Sequence, residues 1–236
     1  MRKFQPFRTV TAGVAFAGLL IVGMSVIPVR GRADNDNNAA QDEKAMIRIG
    51  LSFASSRGIT LNMNGKDPDM VGLGSYLVNV TGDCNGCHTA NPMTEYTAPG
   101  NPYLLHPPQG PFTGTTTINA ATYLGGGSYF ATLPTTSGTF DIYSRNLTPD
   151  YTGLPEGGHT LSDFIQIMRT GVDMDHLHLN LAMGINGAVL QVMPWPNFQN
   201  MTDRNLTAIY AFLSAIPCID TVVTGRPELR NTCPAH

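Results

Sequence analysis

The 236 residues are 42% hydrophobic and 13% charged, with a net charge of −3 and four cysteines. With 14 basic against 17 acidic side chains there is no basic face of the kind a nucleic-acid binder needs, and the length suits one core with long excursions rather than two well-filled domains. No segment recurs at a fixed period, which excludes a repeat architecture.

Arg2, Lys3 and Arg8 precede an apolar run over residues 10–27 that is rich in glycine and alanine. Residues 1–33 read as an export signal, with Gly31 and Ala33 as the small residues before a cleavage point, or as a membrane anchor, since the run is just long enough to cross a bilayer. Either reading places the remaining chain outside the cytoplasm, periplasmic or exported, with membrane association through residues 10–27 in the second case. Removal of residues 1–33 takes away Arg2, Lys3, Arg8, Arg30 and Arg32 and no acid, leaving a more acidic chain suited to a positively patterned partner. Residues 34–68 are asparagine-rich and then mixed, and read as a polar tether with a short helix over 43–53.

From residue 69, Met70, Val71, Leu73, Leu77, Val78 and Val80 share one broad helical face. Gly72 and Gly74 each cost roughly 1 kcal/mol of helix propensity relative to alanine. Their presence marks either fraying near the helix N-terminus or, the preferred reading, a second helix crossing closely at Gly74 beside Tyr76.

The helix runs into Cys84-Asn85-Gly86-Cys87-His88. C-x-x-C-H is the attachment sequence of a c-type haem: two thiols add to the porphyrin vinyl groups and the adjacent imidazole ligates the iron. The competing readings are a redox dithiol, which would need a βαβ pattern around the pair, and half a zinc site, for which Cys218 and Cys233 stand too far apart to supply the other half. The motif occurs once, which implies one haem.

Residues 89–146 hold little regular structure. Prolines 92, 99, 102, 107, 108, 111 and 134 and the run Gly125-Gly126-Gly127 break any long helix, while 112–118 and 138–143 read as short strands or a hairpin. Order returns at a capping box from Thr160 to Asp163, followed by an apolar stripe of Leu161, Phe164, Ile165 and Met168 and a stop at Gly171. The last helix starts at Thr202, carries Leu206, Ile209, Tyr210, Leu213 and Ile216 at helical spacing, and ends before Pro217. Beyond it, Cys218 and Cys233 enclose a tail loop; a bridge there, which export favours, would contribute roughly 3 kcal/mol.

A six-coordinate electron-transfer iron needs a second axial ligand, and a methionine thioether is the soft choice. Met193 stands out because Pro194 stiffens its loop, Trp195 follows and a helix cap comes soon after. Met201 and Met183 are the second and third choices, and Met168, in a helix stripe, reads as core filler. His106, His159, His176, His178 and His236 read as surface residues, with His176 or His178 as the replacement ligand if methionine ligation fails. Trp195 and Arg145 are candidates to hold a haem propionate, against plain packing or surface roles.

Taken together, Gly74 to Leu77, Cys84 to Thr89, Tyr123 to Gly127, Asn146-Leu147-Thr148-Pro149-Asp150, Leu161 to Asp173, Met193-Pro194-Trp195 and Met201 to Leu213 resemble the monohaem class I cytochrome c domains. The branch most similar is that of the cytochrome c subunits of membrane-bound alcohol and gluconate dehydrogenases. The resemblance spans residues 70–217. It implies a mainly α, class I cytochrome c fold with a long loop-rich insertion between the haem motif and the distal ligand, within a haem domain of residues 69–217; the long segment before Cys84 and the tail over 218–236 are outside the pattern. It also implies thioether positions at Cys84 and Cys87, a proximal ligand at His88, a distal ligand at Met193, and packing of the loop from Asn146 near the porphyrin. Those subunits usually carry three haem domains, whereas this chain has one.

The function so implied is outer-sphere transfer of single electrons between redox proteins of a respiratory chain, with a dehydrogenase or oxidase as partner and a porphyrin edge exposed around Gly86 and the Met193 loop. The competing classes are a haem enzyme whose distal position opens to a small oxidant or sulfur compound, and a haem sensor or subunit of a larger respiratory dehydrogenase.

Overall fold

The computed structural model of the chain describes residues 31–102, 115–176 and 180–235, without the side chains of residues 31–37 and 228. The readings made of residues 1–30, and of His106, His178 and His236, lie outside the described residues. Helices α1 (Gly31–Ser56), α2 (Pro68–Tyr76), α3 (Cys84–His88), α4 (Pro155–Gly158), α5 (Leu161–Thr170), α6 (Trp195–Phe198) and α7 (Asp203–Leu213) are joined by two antiparallel hairpins, β1 (Tyr129–Thr135) with β2 (Gly138–Tyr143) and β3 (Thr221–Val223) with β4 (Arg226–Asn231). Among the described residues no helix is long and apolar enough to cross a membrane.

Three helices form the frame. A Cβ on Gly74 would stand 1.9 Å from the carbonyl oxygen of Ala208, so α7 crosses α2 backbone to backbone at the position the sequence marks. The opposite side of α2 meets α1 just as closely: a Cβ on Gly50 would lie 2.0 Å from the Gly72 oxygen, and the Ser75 hydroxyl donates to the Gly50 carbonyl at 2.7 Å. The two glycines of α2 therefore serve two different neighbours. Where residues 34–68 read as a tether, the chain instead forms α1, which buries Ile47 and Ala54 and pairs Glu43 with Arg204 of α7 at 2.6 Å. Its polar composition hides this, because a glycine contact contributes packing without any apolar side chain.

α2 passes into a π-helical turn, Leu77–Thr81, before the chain breaks at Asp83 and restarts as α3. Val71, Val78, Leu206, Phe212 and Leu213 meet Leu124, Leu147, Phe164 and Met168 in the main core, so both halves of the chain close over one apolar centre. Met168 is core filler as expected. α5 carries the full capping box at Thr160 and Asp163 and ends at Gly171, and α7 has Thr202 as its N-cap. The strand expected over 138–143 is β2, paired with β1; of the strand expected over 112–118, residues 112–114 lie outside the described residues, and among the described ones Ile118 makes only an isolated bridge to Tyr96. Thr136 and Ser137 make the tight turn that selects the nearer partner.

Candidate functional site

α3 is a single turn, too short to be stable alone, and a loop from Tyr123 to Ser128 holds it. The Leu124 amide donates to Asn85 Oδ1 at 2.8 Å, the Gly126 amide to the His88 carbonyl at 2.7 Å, and the Ser128 hydroxyl to the Thr89 carbonyl at 2.7 Å. A Cβ on Gly126 would lie 2.3 Å from the Arg145 carbonyl carbon, so only glycine lets this loop slide between His88 and Arg145. The Leu147 amide donates to the Leu124 carbonyl at 2.8 Å, which brings the loop from Asn146 against the same turn.

The two cysteines differ in burial. Cys84 is partly buried against the main core, and Cys87 is exposed. Burial, with Asp83 and Cys87 nearby, pushes the Cys84 thiol up to about 12; burial with Asp83 and Glu95 also raises Cys87. A redox dithiol needs the opposite, a thiolate stabilised by positive surroundings.

His88 carries the most informative contact. Its Nδ1 lies 2.8 Å from the Arg145 carbonyl oxygen, an acceptor only, so Nδ1 bears the proton and Nε2 keeps its lone pair. Burial holds the imidazole below its usual pKa, with the Arg145 charge adding and the carbonyl opposing. A neutral ring oriented through one nitrogen, with the other left as donor, is how proteins present a histidine to a metal.

The chain that leads to Met193 is bonded at several points. The Leu190 amide donates to the Gly171 carbonyl at 2.7 Å, the Asp173 amide to the Ala188 carbonyl at 2.9 Å, and the Trp195 amide to the Met193 carbonyl at 2.8 Å. Met193, Met201 and Phe198 pack half-buried on the main core that Cys84 also touches, whereas Met183 is 83% exposed and stands away from it. A neutral imidazole nitrogen, a thioether and two protonated thiols form a donor set whose chemistry fits a covalently held haem iron.

The other expected site residues take different places. The Arg145 guanidinium pairs with Asp173 at 2.9 Å and with Asp175, so its link to His88 is through its main-chain carbonyl. Asn146 spends its amide within the chain: Nδ2 donates to the Ile219 carbonyl and to Thr221 Oγ1, both at 2.8 Å, and Oδ1 accepts from the Thr148 amide and hydroxyl at 2.7 Å. Trp195 packs its indole across Gly171. His176, read as a surface residue, is a half-buried partner of Asp173 at 2.9 Å, with 13% side-chain exposure; the carboxylate draws it inward. Although burial opposes it, His176 and Arg145 hold the Asp173 carboxyl below the usual range.

Glu156 gave no signal in the sequence. It is 5% exposed at φ 55°, its Oε2 has no partner among the described residues, and burial pushes it up to about 7 although Arg145 opposes. Its neighbours Pro155 and Gly157 mark only a turn. The tail was equally silent apart from its cysteines: Cys218 and Cys233 form a disulfide with Cα atoms 5.6 Å apart.

The chain is similar to proteins named alcohol dehydrogenase (quinone), cytochrome c subunit. It is 35% identical to that of Gluconobacter oxydans (strain 621H) over 149 residues, 62% of this chain and 21% of that protein. It is 29% identical to those of Gluconacetobacter polyoxogenes and Komagataeibacter europaeus over 147 residues, 62% of this chain and 22% of each. The chain thus matches about a fifth of the length of these relatives. No family model and no solved structure matches it.

Proposed function

We propose that this chain is a c-type cytochrome that carries one haem, bound through Cys84 and Cys87 and ligated by His88 and Met193, and passes single electrons between redox proteins outside the cytoplasm. The observation that carries the reading is the 2.8 Å bond from His88 Nδ1 to the Arg145 carbonyl beside a C-x-x-C pair, which leaves Nε2 as a fixed donor. The haem would supply the one-electron couple. His88 and Met193 would hold their positions through a change of oxidation state, because one is clamped by the loop from Leu124 to Ser128 and the other sits in a loop bonded at Gly171, Asp173 and Trp195. Little then reorganises when an electron moves.

Trp195 would brace the Met193 loop by its packing on Gly171, and Arg145 would act through its carbonyl, with Asn146 fixing the loop behind it. The Cys218–Cys233 bond fits an oxidising compartment, in accord with an exported chain. The names of the relatives favour a dehydrogenase as the electron donor, with this chain as its partner or subunit rather than as the catalytic component.

The test is expression with cytochrome maturation factors, followed by mass and optical spectra. One covalent haem and a far-red sulfur-to-iron band that Met193→Ala abolishes are expected. A colourless protein of unmodified mass rejects the reading, and a band that survives the substitution rejects Met193.

A further inference from the structure

The partner of His88 is a main-chain carbonyl, so its position is set by a whole loop and not by one adjustable side chain. That loop, Arg145 to Pro149, is gripped from behind by the tail. Asn146 Nδ2 reaches both the Ile219 carbonyl and Thr221 Oγ1 at 2.8 Å, and the Ile219 amide donates to Thr148 Oγ1 at 3.0 Å. From the second tail strand, Asn231 Nδ2 lies within hydrogen-bond reach of the Ile219 carbonyl at 3.0 Å and of Thr148 Oγ1 and the Pro149 carbonyl at 3.2 Å. Thr221 completes the grip from the other side: its hydroxyl donates at 2.6 Å to the Gly125 carbonyl, next to the Gly126 amide that holds the His88 carbonyl.

The side chains at the centre of these bonds are buried; Thr148 is 0%, Asn231 2% and Asn146 5% exposed. A tail needed only to cover apolar surface would be built from apolar side chains, since buried polar networks add little net stability and instead specify one geometry. The disulfide closes the device, because Cys218 and Cys233 tie the strands beside Ile219 and Asn231, and the Cys233 amide donates to Asp220 Oδ1 at 2.8 Å.

We infer that the disulfide-closed hairpin of Ile219 to Asn231 is the positioning element for the proximal ligand, holding the Arg145 carbonyl on His88 Nδ1 and thereby setting the reduction potential of the iron; this rests on the haem reading above. A firm bond at Nδ1 makes the imidazole a stronger donor, which favours the ferric state and lowers the potential. Asn231 and Thr221 are positioning residues in this arrangement and touch neither the ligand nor the metal.

Full-length, haem-loaded protein tests it with Asn231→Ala and the isosteric Thr221→Val, with Ser75→Ala as a variant that loses a buried bond elsewhere, between α2 and α1. The midpoint potential and the solvent exchange of the His88 Nδ1 proton are the readouts. Both tail variants should raise the potential and speed exchange about tenfold, the same factor in the redox equilibrium being 59 mV for one electron; Ser75→Ala should lower the melting temperature and move neither. Tail variants that lose stability while both readouts stay at wild-type values overturn the inference. Thr221→Val, which keeps the side-chain shape, provides the reading if Asn231→Ala does not fold. A wild-type protein that takes up no haem instead overturns the functional reading itself.

Discussion

The indole of Trp195 occupies the space in which a side chain on Gly171 would stand: a Cβ there would lie 2.2 Å from Cε2 and 2.3 Å from Nε1. Gly171 is also the left-handed cap of α5, at φ 69°. One residue thus ends the helix and seats the ring that follows Met193 and Pro194, which couples the end of α5 to the loop carrying the thioether.

Gly171→Ala should therefore cost about 2–4 kcal/mol, combining left-handed strain with overpacking against a ring. Denaturant unfolding measures it. In the haem-loaded protein the far-red band should weaken as well, because the displaced indole carries Met193 with it.

The crossing at Gly74 gives a second test. A methyl group there meets the Ala208 carbonyl and one on Gly50 meets the Gly72 carbonyl, both backbone atoms with no rotamer to give way. Gly74→Ala and Gly50→Ala should each destabilise by about 1–3 kcal/mol. Calorimetry showing an unchanged melting temperature for Gly50→Ala would remove α1 from the packed frame.

Glu156 makes stability depend on pH. Its carboxyl titrates near 4.5 when unfolded and near 7 when buried, so the folded chain holds the extra proton between those values. The stability this contributes is complete below pH 4.5 and is lost as pH rises through 7. Glu156→Gln should flatten that fall and raise stability above pH 7 by about 3 kcal/mol. Urea midpoints measured from pH 4 to 8 report the slope, and parallel curves for the two proteins would refute it.

Replacing Cys218 and Cys233 together by serine opens a loop of sequence separation 15, which should cost about 3 kcal/mol. Paired unfolding curves of the oxidised protein and this variant show it. Equal stabilities would mean that the hydrogen bonds of Asn231 hold the tail unaided.

Local patterns carried much of this structure. The capping box at Thr160, the stop at Gly171, the cap at Thr202 and the crossing at Gly74 were readable because each depends on residues within a turn or two, or on a glycine that only close contact excuses. Strand 138–143 was readable too, but not its partner, since pairing is decided by the turn and by the surface each strand covers. Helix α1 was largely hidden, because it docks through Gly50 and a few buried side chains and shows no broad apolar stripe.

At the candidate site the division follows covalent reach. Cys84, Cys87 and His88 lie within five residues, and their chemistry is a property of that short string, as the singling out of Met193 is of its stiff Pro194 turn. That the His88 ring is held by the carbonyl of Arg145 and that Asn146 turns away to the tail arise from segments 57 and 73 residues apart in the chain, and the burial of Glu156 depends on what packs over its turn. No periodicity or spacing encodes such contacts; they exist only once the core has closed and buried polar groups must find partners wherever the backbone has left them.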